Sequence, residues 1–247
     1  MERGPSALDE FFVRATAKRR PRVCFIPTGS GDSEEFLSKF YATFSKLDCR
    51  PNHLAFFRKL RPNAIPLDKL EQGLLTQDAI YVGGGNTRSM LAVWREWGLD
   101  RILRKAWRRG ILLGGISAGA ICWFQAGASD SVPGPGRSSP LRCLGFLRGS
   151  CVPHFNGEPH RRRDFSNLIS RGKLPHGIAI DDGAAVLFQD QSIVEVVASR
   201  GGATAYRVMR RLGTVVEVPL AARQLRLEPN RRFSSVQPAC STLRRLS

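Results

Sequence analysis

Ser117 stands in the stretch GGISAGA, and Gly115-Ile116-Ser117-Ala118-Gly119 has the spacing G-x-S-x-G. At a sharp strand-to-helix turn that spacing holds a serine exposed at the carboxyl end of its strand, because only small neighbours fit the crowded backbone. The N–H of the next residue, Ala118, then points into the same space and can donate to an oxyanion. The helix N-terminus adds a partial positive charge. Ile111 to Gly114 reads as the buried strand before the serine, and Ala118 to Ala126 as the helix after it. Two readings fit: a nucleophile for acyl transfer, or a tight turn that packs or binds an anion.

A serine hydroxyl needs a base. The chain has four histidines. His53 falls in an apolar strand candidate, His160 among charged residues and His176 in a KLPHG turn. His154 closes the short apolar segment CVPH, and a strand end beside the serine is where a base would stand. The third member is less determined. Asp130 lies in a loop between nucleophile and base and could orient an imidazole; Glu158, Asp181 and Asp182 compete with it. Asp181-Asp182-Gly183 is equally a turn that bonds its own backbone. Gly83-Gly84-Gly85-Asn86 ends another apolar strand and exposes backbone N–H groups. They could supply a second oxyanion donor, cradle a phosphate or simply turn the chain, although neither G-K-[ST] nor G-x-G-x-x-G is present.

The elements that must carry these residues alternate. Val23 to Pro27 reads as a buried strand ending in the loop TGSGDS. Glu34 to Leu47 follows as a helix with Phe36, Leu37, Phe40, Tyr41, Phe44 and Leu47 on one stripe and Ser33 at its start. HLAFF is a second strand candidate, Leu67 to Leu75 a short helix and Ala79 to Val82 a strand. Helices over Arg88 to Glu96, with Thr87 as cap, and over Leu99 to Gly110 follow. Strand-helix alternation predicts an α/β fold with a mostly parallel central sheet between helical layers. Further on, Arg161 to Ser170 reads as a helix. Ile193 to Ala198 and Ala205 to Val208 read as antiparallel strands joined by SRGG.

Composition narrows the function. A chain of 247 residues with 42% hydrophobic residues can build a sizeable core. No leader peptide and no membrane span are legible, so a cytoplasmic protein without a membrane partner is expected. The six cysteines form no CxxC pair; Cys24 and Cys122 are expected as buried free thiols, and no metal site or cofactor is expected. The net charge of +17 invites a nucleic-acid reading. The arginines are spread out and accompany no recognition helix, zinc finger or aromatic-basic interleave, so nucleic acid is not the expected partner.

Taken together, PTGSGDSEEF, YVGGGNTRSMLAVW, GGISAGAICWF, CVPHFNGEPHRR and AIDDGAAVLF resemble peptidase family S51, the serine peptidases that include dipeptidase E (alpha-aspartyl dipeptidase) and cyanophycinase, and within it an uncharacterised bacterial branch. The resemblance runs from about Arg22 to Leu220. It implies a class I glutamine-amidotransferase-like (flavodoxin-like) three-layer α/β fold with a nucleophile elbow. One peptidase domain over 1–225 and a basic tail over 226–247 are expected. The family serine falls on Ser117 and its histidine, 37 residues later, on His154. Its acidic member falls most plausibly on Asp130, and its oxyanion donors on Gly84 or Gly85 and Ala118.

The implied activity is acyl-enzyme hydrolysis of small peptides, with a dipeptidase preference for N-terminal aspartate. Substrate contacts are expected from Arg161, Arg162 and Arg163, which suit a carboxylate, from Glu158, which could meet an ammonium or hold Arg162, and from Asn86. A silent or regulatory binding module of the same fold is the alternative, and a cyanophycinase-like hydrolase a further one. The fold often dimerises, so a homodimer is admitted, although no strip is diagnostic of one. Relatives of the branch begin with a short strand and a glycine-rich loop before the segment resembling MERGPSALDEFF, an opening this sequence lacks.

Overall fold

The computed structural model describes residues 5–58, 62–131 and 137–226. From residue 227 the expected basic tail, with Cys240, lies outside the described residues, as do residues 132–136.

Helix α1 (Ala7–Ala15) opens the described chain, its first turn closed by reciprocal Ser6 and Asp9 hydrogen bonds. A parallel sheet follows: β1 (Arg22–Ile26), β2 (Arg50–His53), β3 (Ala79–Val82) and β4 (Leu112–Gly115), in the order β2-β1-β3-β4. Parallel neighbours require crossovers. α2 (Glu34–Phe44) joins β1 to β2, α3 (Leu70–Leu75) joins β2 to β3, and α4 (Thr87–Glu96) with α5 (Leu99–Arg108) joins β3 to β4. Val23, Cys24, Phe25 and Ile26 are all fully buried, as a strand covered on both faces must be. The α2 stripe supplies one cover: Phe40 stacks on Phe25 and Phe44 on Phe40. Met90, Leu91 and Trp94 of α4 and Leu99 and Leu103 of α5 belong to the larger core, which includes Cys24, Ile26, Ile80 and Val82.

Beyond β4 come α6 (Ala118–Ile121), β5 (Phe124–Ser129), β6 (Ser139–Arg142), β7 (Leu147–Val152), α7 (Pro159–Ser170), β8 (Gly177–Ile180), β9 (Ala184–Gln189), β10 (Ser192–Ala198), β11 (Ala205–Arg211), β12 (Thr214–Leu220) and β13 (Ala222–Gln224). A six-stranded sheet runs β12-β11-β8-β7-β5-β6 and a three-stranded one β13-β10-β9. Within the larger sheet β5, β7 and β8 are mutually parallel; β6, β11 and β12 are antiparallel additions. The expected α/β class is the class observed.

The two main sheets are joined at the edge where the chemistry lies. Beyond β5, the Ser131 Oγ accepts from the N–H groups of Thr87 and Arg88 at the start of α4, 2.8 and 3.3 Å away, and the Ser131 carbonyl accepts from Asn86 Nδ2 at 3.1 Å. The carboxyl end of β5 therefore stands beside the carboxyl end of β3. Because β7 and β8 run parallel to β5, their carboxyl ends face the same way.

Some local expectations are corrected. The helix after Ser117 ends at Ile121, not Ala126, because Phe124–Ser129 pairs with β6 and β7. Gly127 is the enabling residue: a Cβ there would lie 2.3 Å from Ile121 Cγ2 and 2.8 Å from the Cys151 carbonyl. The strands at 192–198 and 205–211 do not pair with each other. The first takes β9 and β13 as partners, the second β8 and β12. The strand expected through HLAFF stops at His53, since the N–H groups of Phe56 and Phe57 turn to Asp32 Oδ2. Asn86, not Thr87, caps α4.

Candidate active site

Ser117 has φ 56° and ψ −115°, a conformation that costs a non-glycine residue about 1–3 kcal/mol and persists only when its surroundings enforce it. The enforcing contacts come from the two motif glycines. A Cβ on Gly115 would sit 2.3 Å from the Val82 carbonyl oxygen and one on Gly119 2.2 Å from the same atom. The spacing G-x-S-x-G therefore lets α6 start directly against β3, with Ser117 at the apex. The Ser117 carbonyl accepts from Ala120 and Ile121.

His154, two residues beyond β7, has φ 56°. Its Nδ1 is 2.6 Å from Asp182 Oδ1. With the carboxylate accepting, Nδ1 carries the hydrogen, so in a neutral ring the lone pair falls on Nε2, the tautomer a base for serine requires. The parallel β7–β8 register makes this pairing: Val152 lies opposite Ala179, and Phe155 N–H donates to the Ile180 carbonyl. The two aspartates after β8 then part. Asp181 turns inward and accepts from Thr204 N–H; burial pushes its carboxyl above the ordinary range. Asp182 goes to the imidazole. Asn156 Oδ1 accepts from Asp182 N–H at 2.8 Å, and a Cβ on Gly157 would lie 2.1 Å from Asp182 Oδ2. The stretch His154-Phe155-Asn156-Gly157 thus carries the imidazole and also seats its carboxylate.

Across the edge, Gly84 faces the serine: a Cβ there would be 3.2 Å from Ser117 Cβ and 3.7 Å from Oγ. Gly85, at φ 126°, leaves no room for a side chain, because the Gly29 carbonyl oxygen would be 2.1 Å away. Among the described residues, the N–H groups of Gly84, Gly85 and Ala118 are donated to no acceptor.

The structure places the expected acid, Asp130, on Arg161. Its Oδ2 accepts from Arg161 Nη2 at 2.9 Å, whereas the carboxylate on His154 is Asp182. Arg161 is buried and needs compensating charge. Asp130 supplies part of it and Glu158 the rest, with Arg161 Nε 2.6 Å from Glu158 Oε2. Glu158 therefore holds Arg161 and not Arg162.

Successive residues on a helix point about 100° apart, and the three arginines diverge accordingly. Arg162 donates to Glu217 and lies over the rings of Phe155 and Tyr206, while Arg163 is exposed beside Asp164. Asn86 Oδ1 accepts from Ser89 N–H and its Nδ2 donates to Ser131, so both ends of its amide are used in the framework. The roles of Asn156, Gly157 and Ser131 were missed in the sequence; the Asn-Gly pair directly after His154-Phe155 was the available signal.

No cysteine competes as nucleophile among the described residues. The five there are free and buried, Cys24 and Cys122 included, and burial raises their thiols, that of Cys143 to about 12. Among the described residues no group of His, Cys, Asp or Glu is placed to hold a metal, and no helix is long and apolar enough to cross a membrane.

Comparison with known proteins adds to this geometry. The model of Peptidase family S51 matches residues 2–196. An uncharacterized peptidase, YgaJ of Bacillus subtilis (strain 168), is 45% identical over 225 residues, covering 91% of this chain and 94% of that protein. An uncharacterized peptidase, Lin0382 of Listeria innocua, is 27% identical over 181 residues, 72% of this chain and 85% of that one. The crystal structure of a putative peptidase E protein from Listeria monocytogenes EGD-e superposes with a TM-score of 0.54 at 18% identity over 77% of this chain and 95% of that one. A peptidase from an acI-B1 Actinobacterium gives 0.63 at 16% identity over 87% of each. The two structures speak for the fold.

Proposed function

This chain belongs to peptidase family S51, a family of serine-type peptidases, and from that premise we propose that it hydrolyses small peptides through an acyl-enzyme on Ser117, with dipeptides bearing an N-terminal aspartate preferred. The observation that supports the mechanism is the 2.6 Å contact between His154 Nδ1 and Asp182 Oδ1, which leaves Nε2 available to act as base for Ser117.

Ser117 Oγ attacks the scissile carbonyl as His154 Nε2 removes its proton. Asp182 fixes the tautomer and stabilises the imidazolium without taking the proton itself. The N–H groups of Ala118 and of Gly84 or Gly85 receive the oxyanion; one such donor is worth about 3 kcal/mol of barrier. The imidazolium then gives its proton to the leaving amine. Water, deprotonated by His154, releases the acid and restores Ser117.

The aspartate preference finds its support in Arg161. That guanidinium meets Asp130, whose side chain is 60% exposed, and a substrate carboxylate would take the place of Asp130 on it. Glu158, also on Arg161, is the carboxylate offered to the substrate ammonium.

The test is hydrolysis of Asp-Leu, Glu-Leu, Ala-Leu and Leu-Asp by the wild type and Ser117→Ala in parallel. Release from Asp-Leu above the others, lost in the variant, is expected. Ser117-dependent release from another member would keep the mechanism and remove the aspartate preference. No Ser117-dependent release from folded protein would favour the binding module.

A further inference from the structure

Helix α5 turns Leu99, Ile102, Leu103 and Ala106 inward and leaves Arg101, Arg104, Lys105 and Arg108 on its outer side. Those four are three and four residues apart, so like charges are neighbours along one face, an arrangement that repels. Part of it has a local explanation. Lys105 Nζ reaches Glu71 at 2.8 Å. Arg104 donates to the Leu144 carbonyl and lies 4.4 Å over the Phe146 ring. Lys105 and Arg108 also sit in the last turn, where the helix dipole favours cations.

Arg101 has no such account. It stands in the first turn, where the dipole opposes it, with its guanidinium folded over Gly98; a Cβ on Gly98 would be 2.9 Å from Arg101 Nη2. Arg95 joins it from the end of α4. Among the described residues, the side chains of Arg95, Arg101 and Arg108 make no ion pair or hydrogen bond. All three open on one cleft of about 320 Å³, together with Arg104 and Lys105 and a single acid, Asp100. Its apolar wall is Leu144 and Phe146. The cleft is separate from the catalytic edge, since α5 leads into the start of β4 whereas Ser117 follows its end.

Guanidinium forks match phosphate oxygens two at a time, and with Lys105 paired to Glu71, four guanidinium groups facing one acid call for an anion of several charges. The volume is at the small end for a ligand pocket, which suits a small anion. We propose that this cleft binds a small oligophosphate anion, with Arg95, Arg101 and Arg108 as its principal contacts.

The test is calorimetric titration of the full chain with sodium tripolyphosphate at low and at physiological salt. Three forms are compared: wild type, Arg101→Gln/Arg108→Gln, and the control Arg207→Gln/Arg210→Gln, which removes the same charge from exposed positions on β11. Saturable one-to-one binding is expected, weakened about tenfold or more in the α5 pair and by less than about twofold in the control. Arg95→Gln, on a different helix, should also weaken it and serves if the double variant does not fold. Equal weakening by both pairs would mean diffuse attraction to a basic protein and overturn the proposal. So would the absence of saturable binding, or binding of duplex DNA without binding of tripolyphosphate.

Discussion

His154 and Asp182, 28 residues apart in sequence, meet at the carboxyl ends of adjacent parallel strands with Nδ1 2.6 Å from Oδ1. The loop aspartate nearer the nucleophile in sequence, Asp130, is instead held by buried Arg161. The two carboxylates therefore have separable roles. Asp182→Asn should lower kcat about a thousandfold to ten-thousandfold, because an amide cannot hold the required tautomer. Asp130→Asn should change KM and lower Tm while leaving kcat within about tenfold, which steady-state kinetics and thermal unfolding of both variants would check.

In the proposed mechanism Gly157 acts as a positioning residue, and its substitution has a distinct signature. In Gly157→Ala the new methyl would stand 2.1 Å from Asp182 Oδ2, so the carboxylate must leave its place on His154. A displacement of about 1 Å is worth about a hundredfold in rate. The expected result is a loss of that order in kcat with KM and Tm little changed, read from kinetics and a melting curve.

The elbow was legible in the sequence because everything that makes it is local. Gly115 and Gly119 are small because the Val82 carbonyl crowds both, and that demand is written within five residues of Ser117. His154 was legible for a similar reason, as the polar end of an apolar strand. The carboxylate that bonds its imidazole was not, since Asp130, Glu158, Asp181 and Asp182 look alike until the β7–β8 register selects one. Strand pairing misled elsewhere too: ICWFQAGAS has an apolar run compatible with helix or strand, and only the partners β6 and β7 decide for strand. Arg161, Arg162 and Arg163 read as one cluster in sequence, but helical rotation sends them to three different environments.

Gly119→Ala sets two effects against each other. Alanine gains about 1 kcal/mol of helix propensity over glycine. Its Cβ would fall 2.2 Å from a backbone oxygen of β3, which cannot retreat as a flexible side chain would, and overpacking of this kind costs about 1–3 kcal/mol or more. The clash should win, so the urea midpoint should drop. A variant as stable as wild type would show that α6 is not seated on β3 as described.

Asp32 provides the pH dependence. It is fully buried; Oδ2 accepts from Phe56 and Phe57, and among the described residues Oδ1 has no partner. Burial raises its carboxyl above the ordinary value. A group whose folded pKa exceeds its unfolded one binds more protons in the native state, so its ionisation removes stability as pH rises through the raised value. Asp32→Asn keeps an oxygen for the two N–H groups and cannot ionise. Urea unfolding between about pH 4 and pH 7 should show the difference in stability moving in favour of the variant as pH rises. A constant difference would contradict it.

The central claim is that Ser117 is a nucleophile activated by His154. The most direct measurement is labelling of the full chain with a fluorophosphonate, followed by intact mass and peptide mapping. A single adduct on Ser117, absent in Ser117→Ala and slowed at least about a hundredfold in His154→Ala, is the predicted result. No adduct on folded protein, or an adduct that persists in Ser117→Ala, would contradict it.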